Sequence, residues 1–254
     1  MIRPKFVTGY NSVLTYQIQG NQKGSENIKL AIVIPTFNEE KNLRELLPKL
    51  KEETDCRMPQ VTAREIFVID DRSTDGTVEY ARSMGAVVPY CFERRGLGQS
   101  YAEGVAMAVY EHNCDIVVTM DGDHPAGHVK KMLGKLISDN LDIVVGYEFE
   151  SRTSTSKGAS WLAKKFLGLG FLEQPTCGFI AMRADLVHRL QLRKIVSKGD
   201  FWHVELLFFA KSRRAKFGQL EFSGHKHGSS SFTRVINWLN DMLILGLRRC
   251  WGVS

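Results

Sequence analysis

Three times within its first 123 residues, the chain runs through an apolar stretch of strand length and stops at carboxylates. Leu30-Ala31-Ile32-Val33-Ile34-Pro35 leads to Glu39 and Glu40, Glu65-Ile66-Phe67-Val68-Ile69 to Asp70 and Asp71, and Val117-Val118-Thr119-Met120 to Asp121 and Asp123. Continuous apolar runs of this length are expected of strands covered on both faces, as in a parallel sheet. Helical patterns stand between them. Asn38 predicts an N-cap for a helix through Leu43, Leu46, Leu47 and Leu50, with Pro48 inside it, and further helices are expected up to about Met84 and from Gln99 to Glu111. This alternation predicts an α/β fold, a mixed but mainly parallel sheet flanked by helices. In open sheets of that kind the ligand lies outside the C-terminal ends of the strands, so Glu39, Asp70, Asp71, Asp121 and Asp123 are expected to converge on it.

The third run shows what such a ligand is. On an extended chain Asp121 and Asp123 point to the same side, because side chains alternate with period two. Mg²⁺ and Mn²⁺ take oxygen ligands, commonly one or two carboxylates completed by water and substrate phosphates, so the pair suits a metal–diphosphate ligand. Taken alone the same residues suit a solvated turn closed by Gly122 and Pro125 better than a metal site; their repetition at other strand ends favours the ligand. Further strands are expected at Ala86–Tyr90, Leu141–Gly146 and Lys216–Phe222, and helices at Val129–Ile137, Ala159–Leu169 and Trp202–Lys211. Gly96 and Gly98 lack the third glycine of a dinucleotide fingerprint and read as a tight helix entry.

Charge divides the chain. Residues 1–150 hold 17 Lys/Arg against 22 Asp/Glu, whereas residues 151–254 hold 17 against 6, a net +11 that calls for an anionic partner. No nucleic-acid-binding motif accompanies that charge, so nucleic acid is not the expected partner. The five cysteines contain no C-x-x-C pair and read as buried free thiols of a reducing compartment. The first residues contain no apolar leader, and no run reaches membrane-spanning length. The expected location is therefore cytoplasmic, in solution or peripheral at the cytoplasmic face of a membrane. Residues 1–28 read as an N-terminal extension, 29–232 as one domain and 233–254 as a C-terminal amphipathic helix. With Trp238, Trp251, Arg248 and Arg249 on or beside its apolar face, that helix suits either the plane of a membrane or packing against protein.

The ordered set IVIPTFNEEKNL, VIDDRSTDGT, ERRGLGQSYAEG and VTMDGD resembles family 2 glycosyltransferases of the GT-A fold, and more closely the polyprenyl-phosphate (dolichyl-phosphate) mannose and glucose synthases. The resemblance covers roughly residues 29–235. It implies a GDP- or UDP-hexose donor, a polyprenyl phosphate acceptor, Mg²⁺ or Mn²⁺ as cofactor, and inversion at the anomeric carbon. It further implies that Pro35, Phe37, Glu39 and Asp71 hold the nucleoside with Ile69 beside them, and that Asp121, Gly122 and Asp123 hold the diphosphate. His124 follows Asp123 where the family has Leu-Gln before its His-Pro, and is expected to join Asp121 and Asp123 at the metal. Arg152, Ser156, Lys157, His225 and Ser230 match the acceptor-phosphate side. There the pattern departs from the family: Gln174 precedes Pro175-Thr176 in place of Asp, and His225 and Ser231 replace Arg and Lys.

Asp123, Arg152 and Glu205 are the catalytic candidates. Glu205 lies among Val204, Leu206, Leu207 and Phe208, where a carboxylate is costly unless paired or used. A phosphate acceptor is already ionised and needs no base. A hydroxyl acceptor does, and Glu205 or Asp200, then His203, would supply it. A nucleotide-sugar-binding subunit without activity is the remaining alternative.

Overall fold

The computed structural model describes residues 27–55, 60–148, 154–190, 192, 195, 197–223 and 240–245. Among the described residues six strands form one sheet: β1 (Ile28–Thr36), β2 (Val61–Asp70), β3 (Ile116–Thr119), β4 (Ile143–Tyr147), β5 (Ile180–Arg183) and β6 (Phe217–Glu221). Their order is β2-β1-β3-β5-β4-β6, and only β5 runs antiparallel to its neighbours. The sheet is thus mixed and mainly parallel, as expected, with β1 between β2 and β3.

That position explains the uninterrupted apolar sequence of β1. Leu30 through Ile34 are all fully buried, and they alternate between two cores. Ala31 and Val33 join Phe67, Ile69 and Val117 on one face, whereas Leu30, Ile32 and Ile34 join Ile66, Val68 and Val118 on the other. Helices α1 (Glu40–Asp55), α2 (Thr77–Ser83) and α4 (Val129–Ser138) cover the second face. Helices α3 (Leu97–Ala106), α5 (Ser154–Leu167), α6 (Ala184–Leu190) and α7 (Trp202–Ser212) cover the first. Leu43, Leu46, Leu47 and Leu50 bury themselves on one side of α1, the periodicity that predicted it. Each such side chain contributes about 1.5–3 kcal/mol by leaving water.

Three expectations are corrected. Residues 86–90 do not form a strand: Val87 makes a single bridge to Phe67, and Pro89 has no N–H to extend it. Asn38 does not cap α1; its backbone is left-handed at φ 56, and its side-chain oxygen accepts the N–H of Thr74 at 2.8 Å. Strand β5 was not foreseen. Of the C-terminal segment, residues 240–245 are helical, and the rest lies outside the described residues.

Candidate active site

The site is built where β1, β2 and β3 end. The loops after β1 and β2 are sewn together: Asn38 N–H donates to Ser73 Oγ (2.8 Å), Glu39 N–H to Thr77 Oγ1 (3.0 Å) and Glu40 N–H to Asp75 Oδ2 (3.3 Å). Asp70 serves this seam. It accepts from Thr36 Oγ1 and from the N–H and hydroxyl of Ser73, so it faces the loop and not the ligand side. Its buried charge is met by hydrogen bonds, which corrects the expectation that all five carboxylates converge.

Asp71 is 5% exposed and accepts the backbone N–H groups of Arg95 (2.6 Å) and Gly96 (3.2 Å), fixing the entry to α3 beneath it. Phe37 is exposed beside it, and the Arg94 guanidinium stacks 3.7 Å over the Phe37 ring with its Nε 3.6 Å from Asp71. An aromatic face next to a held carboxylate can take a flat, hydrogen-bonding group. Pro35 and Ile69, register partners on β1 and β2, are both buried. They floor this corner, next to Phe37 and Asp71.

After β3 the chain turns: His124 N–H reaches the Asp121 carbonyl at 3.2 Å. The alternation argument for Asp121 and Asp123 therefore does not describe their geometry. They nonetheless share a neighbourhood with Glu39. Burial raises the Glu39 carboxyl above the usual range, Asn42 opposes this by a hydrogen bond, and the charges of Asp123 and Asp121 add to the rise. A Cβ at Gly122 would stand 3.3 Å from Glu39 Oε2, so the glycine lets the turn lie against that carboxylate. Asp123 also borders a cleft between α1 and the turn, with Asn42, Glu45, Lys49 and Pro125 among its walls.

His124 cannot join the metal as expected. It is buried and its Nδ1 accepts the Asp121 N–H at 2.8 Å, which places the neutral ring's proton on Nε2 and leaves no lone pair for a cation. The ring instead stacks on Phe179 at 5.3 Å and braces the turn. Among the described residues no three His, Cys, Asp or Glu side chains form a ready-made metal centre.

Sequence reasoning missed Tyr101. Fully buried on α3, it donates its hydroxyl to Asp121 Oδ1, and burial followed by the Asp121 charge raises its pKa well above 10.0, so it stays a donor. Tyr101 stacks on Trp202 at 5.3 Å and meets the His203 ring edge-on at 4.6 Å. A tyrosine at helical spacing reads as core, and nothing local in sequence points to its partner.

The acceptor side is described in part. Arg152, His225 and Ser230 lie outside the described residues, as does the Ser156 side chain, and Lys157 is exposed on α5. Glu205 is 1% exposed, and its Oε2 accepts the N–H (3.0 Å) and hydroxyl (2.7 Å) of Ser197. The apolar surroundings are thus compensated by pairing, and Glu205 is not an accessible base. The nearby Asp241 carboxyl is raised by burial and then by the charge of Glu205. Asp200 is exposed just before α7.

Burial lowers the His203 pKa from 6.5 to about 4, against opposing effects of Asp121 and of a hydrogen bond with the Asp200 backbone. Between those values the unfolded chain takes up a proton that the folded chain refuses, so stability is full above about pH 6.5 and falls as the pH drops toward 4. Urea unfolding is expected to show about 2 kcal/mol lost at this position between pH 7 and pH 5, a loss that His203→Gln removes. Identical pH dependence in the variant would refute this.

Residues 31–189 match the family model described as glycosyl transferase family 2. A dolichol-phosphate mannosyltransferase of Pyrococcus furiosus is 29% identical over 181 residues, 66% of this chain and 50% of that protein. An undecaprenyl-phosphate mannosyltransferase of Micrococcus luteus is 28% identical over 209 residues, 76% of this chain and 80% of that protein. The chain thus spans half the length of the Pyrococcus protein and most of the Micrococcus one. Among solved structures, the glucosyl-3-phosphoglycerate synthase of Mycobacterium tuberculosis, in complex with Mn²⁺, UDP and phosphoglyceric acid, has a TM-score of 0.69 at 22% identity. The match covers 86% of this chain and 78% of that one. At that identity the likeness concerns the fold.

Proposed function

Since this chain belongs to glycosyl transferase family 2, we propose that it moves a hexose from a GDP- or UDP-sugar to a polyprenyl phosphate. The observation that carries the reading is the Asp121–Asp123 turn, held against Glu39 on one side and by the Tyr101 hydroxyl on the other, next to the Phe37 and Asp71 corner. The names of the Pyrococcus and Micrococcus relatives support the acceptor class.

The residues present fit a divalent cation that comes with a diphosphate. Asp121 and Asp123 supply hard oxygen donors, and Glu39, raised first by burial and then by the charges of Asp123 and Asp121, lies close to both. Mg²⁺ or Mn²⁺ held there with the donor would neutralise charge growing on the leaving diphosphate. Tyr101 fixes the orientation of Asp121 and stays protonated while doing so. Phe37 and Asp71 receive the nucleoside once the Arg94 guanidinium moves from the ring or stacks on the base. One oxygen of the acceptor phosphate bonds to the anomeric carbon as the bond to the diphosphate breaks, and the electron pair leaves with the nucleoside diphosphate; this single displacement inverts the centre.

Arg152, with Ser156, Lys157, His225 and Ser230, is assigned to the acceptor phosphate. The enclosure of Glu205 by Ser197 removes one of the bases that a hydroxyl acceptor would need, and leaves exposed Asp200 as the other.

The test offers GDP- and UDP-hexoses, with Mn²⁺, to a short-chain polyprenyl phosphate and a panel of free sugars. Transfer to the lipid phosphate with inversion is expected, and Arg152→Ala is expected to cut it about a hundredfold. Transfer to free sugars alone would overturn the acceptor. No transfer together with no Mn²⁺-dependent nucleotide binding would overturn the enzyme reading itself.

A further inference from the structure

Ser197, Lys198 and Gly199 join three parts of the molecule. Ser197 is 5% exposed; it gives its N–H and hydroxyl to Glu205 on α7, and it also hydrogen-bonds the half-buried Asp241 carboxyl. One hydroxyl thus stands between two carboxyl groups from two helices. Toward α3 the same segment presents its carbonyls. The Lys198 oxygen accepts the Gly98 N–H at 2.8 Å, and a Cβ at Gly98 would stand 2.6 Å from the Ser197 oxygen. The Gly199 oxygen accepts the Trp202 N–H at 3.1 Å, and Trp202 is fully buried against Tyr101 of α3. Each residue of the segment is therefore clamped, and it has no room to shift alone.

The helical residues 240–245 seat on this clamp. Leu245 is 2% exposed, and with half-buried Met242 it joins the core that contains Phe201 and Trp202. Asp241 adds the polar tie to Ser197. In its protonated form it donates to Ser197 Oγ while Ser197 donates to Glu205, so both carboxyl groups are satisfied through one hydroxyl. A packed contact of this kind is either made or broken and does not deform continuously. We propose that the helical residues 240–245 set the entry to α3, and through it the affinity of the Asp71 corner for a nucleotide, with Ser197 as the positioning residue between them.

With the helix seated, Ser197 keeps the Lys198 carbonyl pressed between Gly96 and Gly98, and the N–H groups of Arg95 and Gly96 meet Asp71. When the helix leaves, the carbonyl loses its backing and the α3 entry turns away from Asp71. Asp241 is on the far side of Ser197 from that entry, so its effect on a nucleotide passes through the segment and not through contact. The inference deepens the proposed function and rests on it in one respect, the assignment of Asp71 to the nucleoside.

Coupling between two sites is reciprocal, so it can be read from both ends of the whole chain. Mn²⁺ with GDP or UDP is expected to slow backbone hydrogen exchange of residues 240–245 about fivefold, and Asp241→Ala to weaken nucleotide binding by about the same factor. Asp241→Asn, whose amide donates to Ser197 Oγ as the protonated carboxyl does, should bind nucleotide like wild type. Ser197→Ala should weaken binding as Asp241→Ala does, and the double change no further. Leu136→Ala controls for stability alone. Leu136 is fully buried on the other face of the sheet, so its truncation should lower the unfolding temperature and leave nucleotide affinity unchanged. Wild-type affinity in Asp241→Ala overturns the inference, and so does equal weakening in Leu136→Ala. Exchange of the Arg95 and Gly96 amides in the free protein separates this test from the donor assignment. If no nucleotide binds, yet Asp241→Ala speeds exchange of those amides, the proposed function falls and the hold of the helix on the α3 entry stands. If nucleotide binds alike in both proteins and those amides exchange alike, the hold falls alone.

Discussion

Asp123→Ala is expected to remove sugar transfer to every acceptor, by at least about a hundredfold, while leaving the protein as stable as wild type. The two halves of this expectation come from one observation. The Glu39 carboxyl is raised by burial and then by the charges of Asp123 and Asp121, so the three carboxylates lie near one another. Removing one of three neighbouring carboxylates takes charge out of the turn without emptying the core, so thermal unfolding is expected to stay near that of wild type. Asp121→Ala is a poorer test, because it leaves the buried Tyr101 hydroxyl without its acceptor at a cost of about 1–3 kcal/mol. Thermal unfolding with and without Mn²⁺ and GDP or UDP separates the effects. Wild type should gain stability from the pair of ligands, and Asp123→Ala should start level with it and gain nothing. Turnover within threefold of wild type would end the assignment.

The features legible in the sequence were those with local signatures. Strands β1 and β2 announced themselves because burial on both faces demands unbroken apolar residues, and Asp121 and Asp123 because carboxylates recur at strand ends. What escaped depended on partners distant in sequence. Asn38 has the side chain of a helix cap, yet its acceptor serves Thr74, 36 residues away, where joining two loops outweighs capping one helix. Strand β5, four residues long, exists because β3 and β4 leave a gap that an antiparallel segment fills. Glu205 was rightly marked as costly among apolar neighbours, but the N–H and hydroxyl of Ser197 that relieve it were invisible to that argument. Tyr101 joins the site through the packing of α3 beneath the end of β3, a tertiary fact. Sequence pattern located the carboxylates; packing decided which of them stay available to a ligand.

Gly96→Ala is expected to cost about 2–4 kcal/mol and to weaken nucleotide binding more than about tenfold, although the residue carries no side chain of its own. Its backbone sits at φ 88 and ψ 158, a region open essentially to glycine alone. An added Cβ would also stand 2.7 Å from the Lys198 carbonyl oxygen, a backbone atom unable to swing aside. Neighbouring Gly98 is pressed in the same way against the Ser197 and Gly199 carbonyls, so α3 enters directly against the loop that leads to α7. Meanwhile the N–H groups of Arg95 and Gly96 hold Asp71, so moving this entry reorients the carboxylate assigned to the nucleoside. Gly85 separates strain from crowding. It too has a positive φ, 74, but open space around a would-be Cβ, so Gly85→Ala should cost only about 1 kcal/mol and leave nucleotide binding unchanged. Equal effects of the two changes on unfolding and on nucleotide titration would mean that the contact with Lys198 and the hold on Asp71 contribute nothing, and would detach the α3 entry from the site.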